Sequence, residues 1–338
     1  MSPRIEALLA ARLFMAPQRV GERLYFISDL NGRLSLYVMD LGGSVPEPLL
    51  PPDVALQNPH HMPGVPFVIL PNLNKILVML DDHGDENYQP MLIDLEGGFP
   101  EPLFPQFAGM QVSVEHPDIE NNHIYLHVDA RKEAKNTLYH ANLATGELDE
   151  LGTGVHGPFF VCASTDHRFM LTADGYGIGD NVIYLQDRAT KQRKPIFGIP
   201  IDQRDPNEPY EITGTGGGAA FINDDYVLGV SMRFDDKYGL ILLRTDGSQQ
   251  IEPVTIKGIK HEGIGELDDF AKLANGKFML GYNIDGCSWR YEGSFDLASR
   301  TFTIEHVLCG AGTLANGVLE SIHYDEASDS FALSFSTA

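Results

Sequence analysis

The chain has 338 residues, 43% of them apolar, and a formal net charge of −23 at pH 7. This apolar content is enough for a sizeable core and argues against global disorder. The acidic balance argues against a nucleic-acid partner, because phosphate backbones are repelled. Thirty-four glycines and 21 prolines leave little room for long helices and favour short strands joined by turns.

The N-terminal segment carries a helical pattern. Ile5, Leu8 and Leu13 follow helical spacing, so we predict a short helix over residues 1–13, ahead of a β-rich domain over residues 14–338. The apolar patch is too short, and too interrupted by charge, for a secretory signal or a membrane span. We therefore expect a protein without a membrane partner.

The three cysteines, Cys162, Cys287 and Cys309, are far apart and form no Cys-x-x-Cys motif. Neither a zinc site nor a disulfide framework is indicated by that spacing. Free thiols in a reducing compartment are the expectation, so we predict a cytoplasmic protein with no bound metal or cofactor.

From residue 14 onward, one phrase recurs. It consists of a strand, a polar turn with glycine, a second strand that ends in an acid, and a glycine turn with a proline-rich exit. In the first copy the turn is Asn31–Gly32, a strong hairpin signal, and the second strand ends at Asp40; in the second copy that strand ends at Asp94. Looser copies end at Asn142, Asp187, Arg244 and Asp296. The phrase recurs about every 50 residues.

Further strand-like runs flank each copy, which makes four short strands per repeat. That pattern is typical of propeller blades. We predict an all-β propeller of seven four-stranded antiparallel blades, the last of them incomplete. Leu314–Ile322 and Ser330–Phe335 are its two predicted strands, and no third follows.

The copies at 24–50 and 76–104 resemble the propeller repeats of TolB and of the prolyl oligopeptidase family. The shared features are a Ser-Asp-x-x-Gly or Asp-x-x-Gly-Asp-Glu-Asn-Tyr turn, then Asp-Leu-x-Gly-Gly (Asp-Leu-Gly-Gly in the first copy), then Pro-x-x-Leu. The short helix and the ending Tyr324–Thr337 resemble acylaminoacyl-peptidase-like members more than TolB. The resemblance implies a non-catalytic N-terminal propeller, whose partner is a C-terminal α/β-hydrolase domain and which limits access to short peptides.

The departure from that family is the missing nucleophile. Its serine lies in a Gly-x-Ser-x-Gly elbow, which this sequence lacks, so no catalytic residue is assigned. The glycine run Thr213–Gly218 has no serine and no Walker lysine; we interpret it as a connector between blades. Two alternatives stay open: a stand-alone TolB-like propeller that binds a protein, and a metal-dependent, lactonase-like propeller hydrolase.

Four residues are candidates for contact with a substrate or partner. Asp82, Asp85 and Glu86 offer oxygen atoms for a cation or a peptide ammonium group, although Asp, Asn and Gly are also ordinary turn formers. Arg233 follows a strand, where it points into a channel, contacts a partner domain, or simply forms a salt-bridged turn. The adjacent histidines His60–His61 lie in a proline-rich connector and are interpreted as non-functional loop residues.

Overall fold

The computed structural model describes residues 12–337, and this part of the chain is built almost entirely from β-strands. The predicted helix over residues 1–13 lies outside the described residues except for Arg12 and Leu13, which have no regular structure. Within the described range the helices are single 3-10 turns, at Pro59–His61, Pro71–Leu73, Pro105–Phe107, Ile201–Gln203, Gly312–Leu314 and Glu326–Ser328. None of them is long and apolar enough to cross a membrane.

The first three sheets each have four strands in antiparallel sequential order. Sheet 1 contains β1 (Phe14–Val20), β2 (Arg23–Ser28), β3 (Ser35–Asp40) and β4 (Glu47–Pro48). Sheet 2 contains β5 (Phe67–Leu70), β6 (Lys75–Leu80), β7 (Gln89–Asp94) and β8 (Glu101–Pro102). Sheet 3 contains β9 (Gln111–Asp118), β10 (His123–Asp129), β11 (Asn136–Asn142) and β12 (Glu147–Gly154).

The later sheets repeat this arrangement. Sheet 4 contains β13 (Phe159–Ala163), β14 (Phe169–Gly177), β15 (Asp180–Asp187) and β16 (Arg193–Phe197). Sheet 5 contains β17 (Thr215–Asn223), β18 (Tyr226–Ser231), β19 (Gly239–Arg244) and β20 (Ile251–Pro253). Sheet 6 contains β22 (Gly265–Lys272), β23 (Phe278–Ile284), β24 (Cys287–Asp296) and β25 (Thr301–Cys309), with β21 (Thr255–Lys257) added in parallel to β25. Sheet 7 contains β26 (Gly317–Asp325) and β27 (Ser330–Thr337).

The predicted all-β propeller is confirmed. Within residues 12–337, six sheets have the four sequential strands of a propeller blade, and the seventh sheet has two. The two predicted strands of the last blade correspond to β26 and β27. A hairpin joins β2 to β3, as the Asn31–Gly32 signal predicts, but its loop spans residues 29–34 between the paired Ser28 and Ser35 and is longer than a two-residue turn.

The second strand of sheet 2 is buried on both faces. In β6, the consecutive residues Ile76, Leu77, Val78 and Met79 are all buried. Successive side chains of a strand point to opposite faces, so burial of consecutive residues means that both faces of the strand are covered. Burial on both faces explains why β6 is a continuous apolar run in the sequence.

The described residues divide into two compact units. The first contains residues 12–131, 141–148 and 320–335, and the second contains residues 132–140, 149–319 and 336–337. The first has an apolar core between sheets 1 and 2, in which Tyr25, Leu36, Phe67 and Ile76 are buried together.

The second unit has two apolar cores. One lies between sheets 4 and 5 and includes Leu171 and Ile241; the other lies between sheets 5 and 6 and includes Leu280 and Phe302. Each core is shared by two consecutive sheets, so a sheet depends on its neighbours for burial of its apolar faces.

Within the first unit, the last hairpin lies beside the first strand. The backbone N–H of Ala16 donates to Ser321 Oγ at 2.8 Å, and Arg19 Nε lies 3.7 Å from a carboxylate oxygen of Asp325. Arg19 also donates to Ser330 Oγ at 3.3 Å. The first and the last sheet of the chain are therefore neighbours.

The three cysteines are free thiols. Cys162 and Cys309 are buried and Cys287 is half-buried. Burial raises the pKa of the Cys162 thiol to about 12, because the thiolate would lose its hydration. Cys162 is therefore protonated and unreactive at neutral pH in the folded protein.

Candidate functional site

The candidate acids lie in the exposed turn between β6 and β7, in the first unit. The Asp85 carboxylate accepts hydrogen bonds from the backbone N–H of Asn87 at 3.0 Å, from its side-chain amide at 2.8 Å and from the N–H of Asp82 at 3.2 Å. These bonds, led by the one from the Asn87 backbone, lower the pKa of Asp85. Asp82 is paired with His83, and Glu86 has left-handed backbone with φ of 59°.

The Asp85 carboxylate thus stabilises the turn itself, whereas the Asp82 carboxylate pairs with the neighbouring histidine. Among the described residues, no group of three or more His, Cys, Asp or Glu side chains is arranged to hold a metal ion. Contact of Asp82, Asp85 and Glu86 with a substrate or partner stays a prediction.

Of the two adjacent histidines in the proline-rich connector, His60 forms an ion-pair contact in the same unit: its Nε2 lies 3.1 Å from a carboxylate oxygen of Glu320.

Arg233 lies in the second unit, in the turn between β18 and β19. Its guanidinium is 2.7 Å from the Glu211 carboxylate, and its Nη1 is 3.5 Å from the carbonyl oxygens of Glu211 and Ile212. Its own N–H donates to Ser231 Oγ at 3.2 Å. Arg233 therefore fastens its turn to the connector that leads from β16 to β17.

This connector is the centre of a larger surface, which we call the loop platform: residues 177–181, 198–214 and 231–238. Gly214 N–H donates to the Gly179 carbonyl at 2.8 Å, and Met232 N–H donates to the Gly214 carbonyl at 3.0 Å. Thr213 Oγ1 donates to the Asn181 carbonyl at 2.8 Å. Backbone bonds thus join three segments that are far apart in the chain.

Arg204 holds the long connector in place. It makes a two-pronged ion pair with Asp180, at 2.7 and 2.8 Å, and donates through Nε to the Ile199 carbonyl at 2.9 Å. Its guanidinium carbon is 3.8 Å from the ring centroid of Tyr210 and 5.0 Å from that of Tyr176. The hydrogen bonds to Asp180 raise the pKa of Arg204.

The loop platform presents apolar side chains to solvent. Ile178 is fully exposed at 102%, and Phe234 is 53% exposed. Further exposed apolar residues of the platform are Ile199, Ile201, Ile212 and Met232. A concentration of apolar residues on an ordered surface is characteristic of an interaction site.

A cavity of about 400 Å³ lies between sheets 4 and 5, next to the platform. Its walls come from β13, β14, β15, β17, β18 and β19. Asn181, near the start of β15, and Thr215, at the start of β17, line the cavity. Asn181 Nδ2 donates to Thr215 Oγ1 at 3.1 Å. Phe159 at its edge is 37% exposed, so the cavity is open to solvent.

Among the solved structures that this chain resembles are a prolyl endopeptidase and two puromycin-hydrolysing enzymes. A prolyl endopeptidase structure matches 92% of this chain and 43% of its own, with 14% identity and a TM-score of 0.56. A puromycin hydrolase matches 91% of this chain and 49% of its own, at 16% identity and a TM-score of 0.55. A puromycin-hydrolysing peptidase of Mycobacterium tuberculosis matches 89% and 46%, at 11% identity and a TM-score of 0.55.

The likeness establishes the fold. The predicted resemblance to the prolyl oligopeptidase family is confirmed at that level, because prolyl endopeptidases are among the structures matched. The chain spans about half the length of these solved proteins. No protein-family model matches the sequence, and no curated protein matches it.

The prediction that the glycine run is a connector between blades was wrong from Thr215 onward. Thr215–Gly218 is not a connector but the first part of β17, where it lines the cavity. A β-bulge between Gly216 and Ala219 explains the run, since Gly217 and Gly218 have φ of 63° and 103°. Gly229 in the next strand lies opposite Ala219 and also lacks a side chain. This second glycine in an apolar run is the feature of the sequence that indicates a gap in the packing.

Proposed function

We propose that this chain is the non-catalytic propeller part of a prolyl-oligopeptidase-like serine peptidase. It limits access to an α/β-hydrolase domain outside these 338 residues, so that only short peptides reach the active site of that domain. The observation that carries the proposal is the coverage: the match takes in 92% of this chain and only 43% of a prolyl endopeptidase. The rest of such an enzyme has no counterpart here.

The sequence supports a non-catalytic role. It contains no Gly-x-Ser-x-Gly elbow, which an α/β-hydrolase needs to expose its nucleophile. The geometry supports a role in contact instead. Ion pairs of Arg204 and Arg233 join the segments of the loop platform, while Ile178 and Phe234 remain exposed.

We assign the loop platform to the contact with the hydrolase domain. Burial of exposed apolar side chains stabilises an interface by roughly 25 cal/mol per Å² of apolar surface removed from water. Ordered backbone lowers the entropic cost of docking. A cytoplasmic location is part of the proposal and is supported by the three free cysteines.

The test is peptide hydrolysis by the isolated chain and by the natural gene product that contains it. We expect no hydrolysis by the chain. The gene product should cleave short fluorogenic peptides but not a denatured protein that carries the same cleavage sequence. A gene product without a hydrolase domain, or one that cleaves both substrates equally well, contradicts the proposal.

A second candidate is a stand-alone, TolB-like propeller that binds another protein. The same exposed apolar platform favours it, because a separate partner would cover Ile178 and Phe234 equally well. A gene that ends near codon 338, together with a stable complex between the chain and one identified protein, distinguishes this candidate from the first. The lactonase-like alternative requires a metal-ligand cluster, for which residues 12–337 offer no arranged group.

A further inference from the structure

The cavity between sheets 4 and 5 results from missing side chains. In sheet 2, the first strand β5 has four buried residues, and Phe67 lies opposite Val78 of the second strand. In sheet 5, the first strand β17 has Ala219 opposite Gly229 of β18, and three glycines precede Ala219. The volume that side chains fill elsewhere is left open.

The glycines are required by the backbone as well as by the space. A Cβ on Gly218 would lie 2.2 Å from the carbonyl oxygen of Phe270, and the residue has φ of 103°. A Cβ on Gly217 would lie 3.2 Å from the Val230 methyl groups. The wall of the cavity is therefore bare backbone, which a larger residue cannot replace without rearrangement.

The chemistry of the walls selects against ions. Among the described residues that line the cavity, none has an ionisable side chain, although the whole chain carries a net charge of −23. Transfer of an unpaired charge into such a site is strongly unfavourable. Asn181 and Thr215 supply the polar side chains. An amide and a hydroxyl together retain donors and acceptors beyond the one bond that they share.

The volume sets the size of a ligand. An apolar cavity of about 150 Å³ is enough to bind benzene, and ligand sites begin at about 300 Å³. The 400 Å³ present here therefore accommodates an aromatic ring or a branched chain with a short polar substituent.

We propose that this cavity binds a small neutral ligand with an aromatic or branched aliphatic body. An amide or hydroxyl group of the ligand hydrogen-bonds to Asn181 and Thr215, at the end of the cavity next to the loop platform. The apolar body lies against Phe159, Ile183 and the bare backbone of β17. The proposal does not depend on the assignment of the chain to a peptidase.

The test uses the intact chain and two matched probes. N-acetyl-L-phenylalaninamide is neutral, and N-acetyl-L-phenylalanine is the same molecule with a carboxylate. Calorimetric titration should give saturable binding of the amide, with the acid weaker by about tenfold or more because its charge would be desolvated. The two probes bound equally well, or neither bound near its solubility limit, would overturn the proposal.

Three variants locate the site. Ala173→Leu fills the cavity and should weaken binding of the amide by about tenfold or more, while Ala298→Leu, in an exposed turn, should leave it unchanged. Thr215→Val removes the hydroxyl at constant shape and should weaken binding by about two- to tenfold. If Ala173→Leu fails to fold by circular dichroism, Ala219→Val replaces it. Unchanged affinity in whichever cavity-filling variant folds would show that the probe binds elsewhere and would contradict the proposal.

Discussion

Arg204 and Asp180 form a two-pronged ion pair, with Nη1 to Oδ2 at 2.7 Å and Nη2 to Oδ1 at 2.8 Å. Both side chains are more than four-fifths buried, and the guanidinium also packs on Tyr210. Arg204 lies in the middle of the connector from β16 to β17, whereas Asp180 begins β15. The pair therefore ties the longest segment of the loop platform to a strand of sheet 4.

Arg204→Lys should loosen this connector, because an ammonium group cannot make both parallel bonds. We expect the free energy of unfolding to fall by about 1–2 kcal/mol. Hydrogen exchange should become faster in residues 198–214. Arg300→Lys is the control, since Arg300 pairs with Glu252 on an exposed surface and should lose less than about 0.5 kcal/mol. Equal effects of the two substitutions would contradict the assigned role of Arg204.

The apolar residues of the platform should matter for contact and not for folding. Ile178→Ser combined with Phe234→Ser removes exposed side chains, so the free energy of unfolding should change by less than about 0.5 kcal/mol per site. In the gene product that contains the chain, the ratio of kcat/KM for long over short peptides should rise, as the domains separate more easily.

The control for that experiment is Val45→Ser combined with Phe99→Ser. Both are exposed apolar residues, at 83% and 80%, in turns between third and fourth strands. This pair should leave the ratio at its wild-type value. A rise of the same size in the control would contradict a specific role of the loop platform in limiting the access of long peptides.

Gly218→Ala should destabilise the chain through a backbone clash. The added Cβ would lie 2.2 Å from the Phe270 carbonyl oxygen, so β17 and β22 would have to separate. Gly276→Ala is the matched control, because Gly276 has φ of 82° but no atom within 4 Å of the added Cβ. Denaturant unfolding should show a loss of about 1 kcal/mol for the control and clearly more for Gly218→Ala. Similar losses for the two variants would mean that left-handed backbone strain alone, and not the clash with Phe270, causes the destabilisation.

Acid should destabilise the chain through His261. Burial lowers the pKa of this imidazole below its ordinary value. Its Nδ1 is 2.8 Å from the Tyr291 hydroxyl. The centroid of its ring is 4.5 Å from that of Tyr282 and 5.7 Å from that of Trp289. The folded state thus binds fewer protons than the unfolded state, and stability falls as the pH drops below about 6.5, the unperturbed value.

We expect the melting temperature of His261→Gln to fall less between pH 7.5 and pH 5.5 than that of the wild type. His61→Gln, which removes an exposed loop histidine, is the control and should follow the wild type. A wild-type slope in His261→Gln would show that other groups cause the acid sensitivity.

The strands and hairpins were predictable because their signals are local. Asn31–Gly32 indicates a chain reversal whatever surrounds it, and the apolar run around Ile76 indicates a buried strand. The glycine run at Gly216–Gly218 was misread for the opposite reason. Its conformation depends on a bulge against β18 and on the approach of Phe270, which no local signal indicates.

The sequence by itself determined the repeat, and through it the class of fold, because strand propensity and turn chemistry act over a few residues. The tertiary structure alone decided where open space and exposed apolar surface would lie. Asn181 meets Thr215 across 34 residues, and Asp180 meets Arg204 across 24. Such meetings follow from how neighbouring sheets pack, and they create both the cavity and the loop platform.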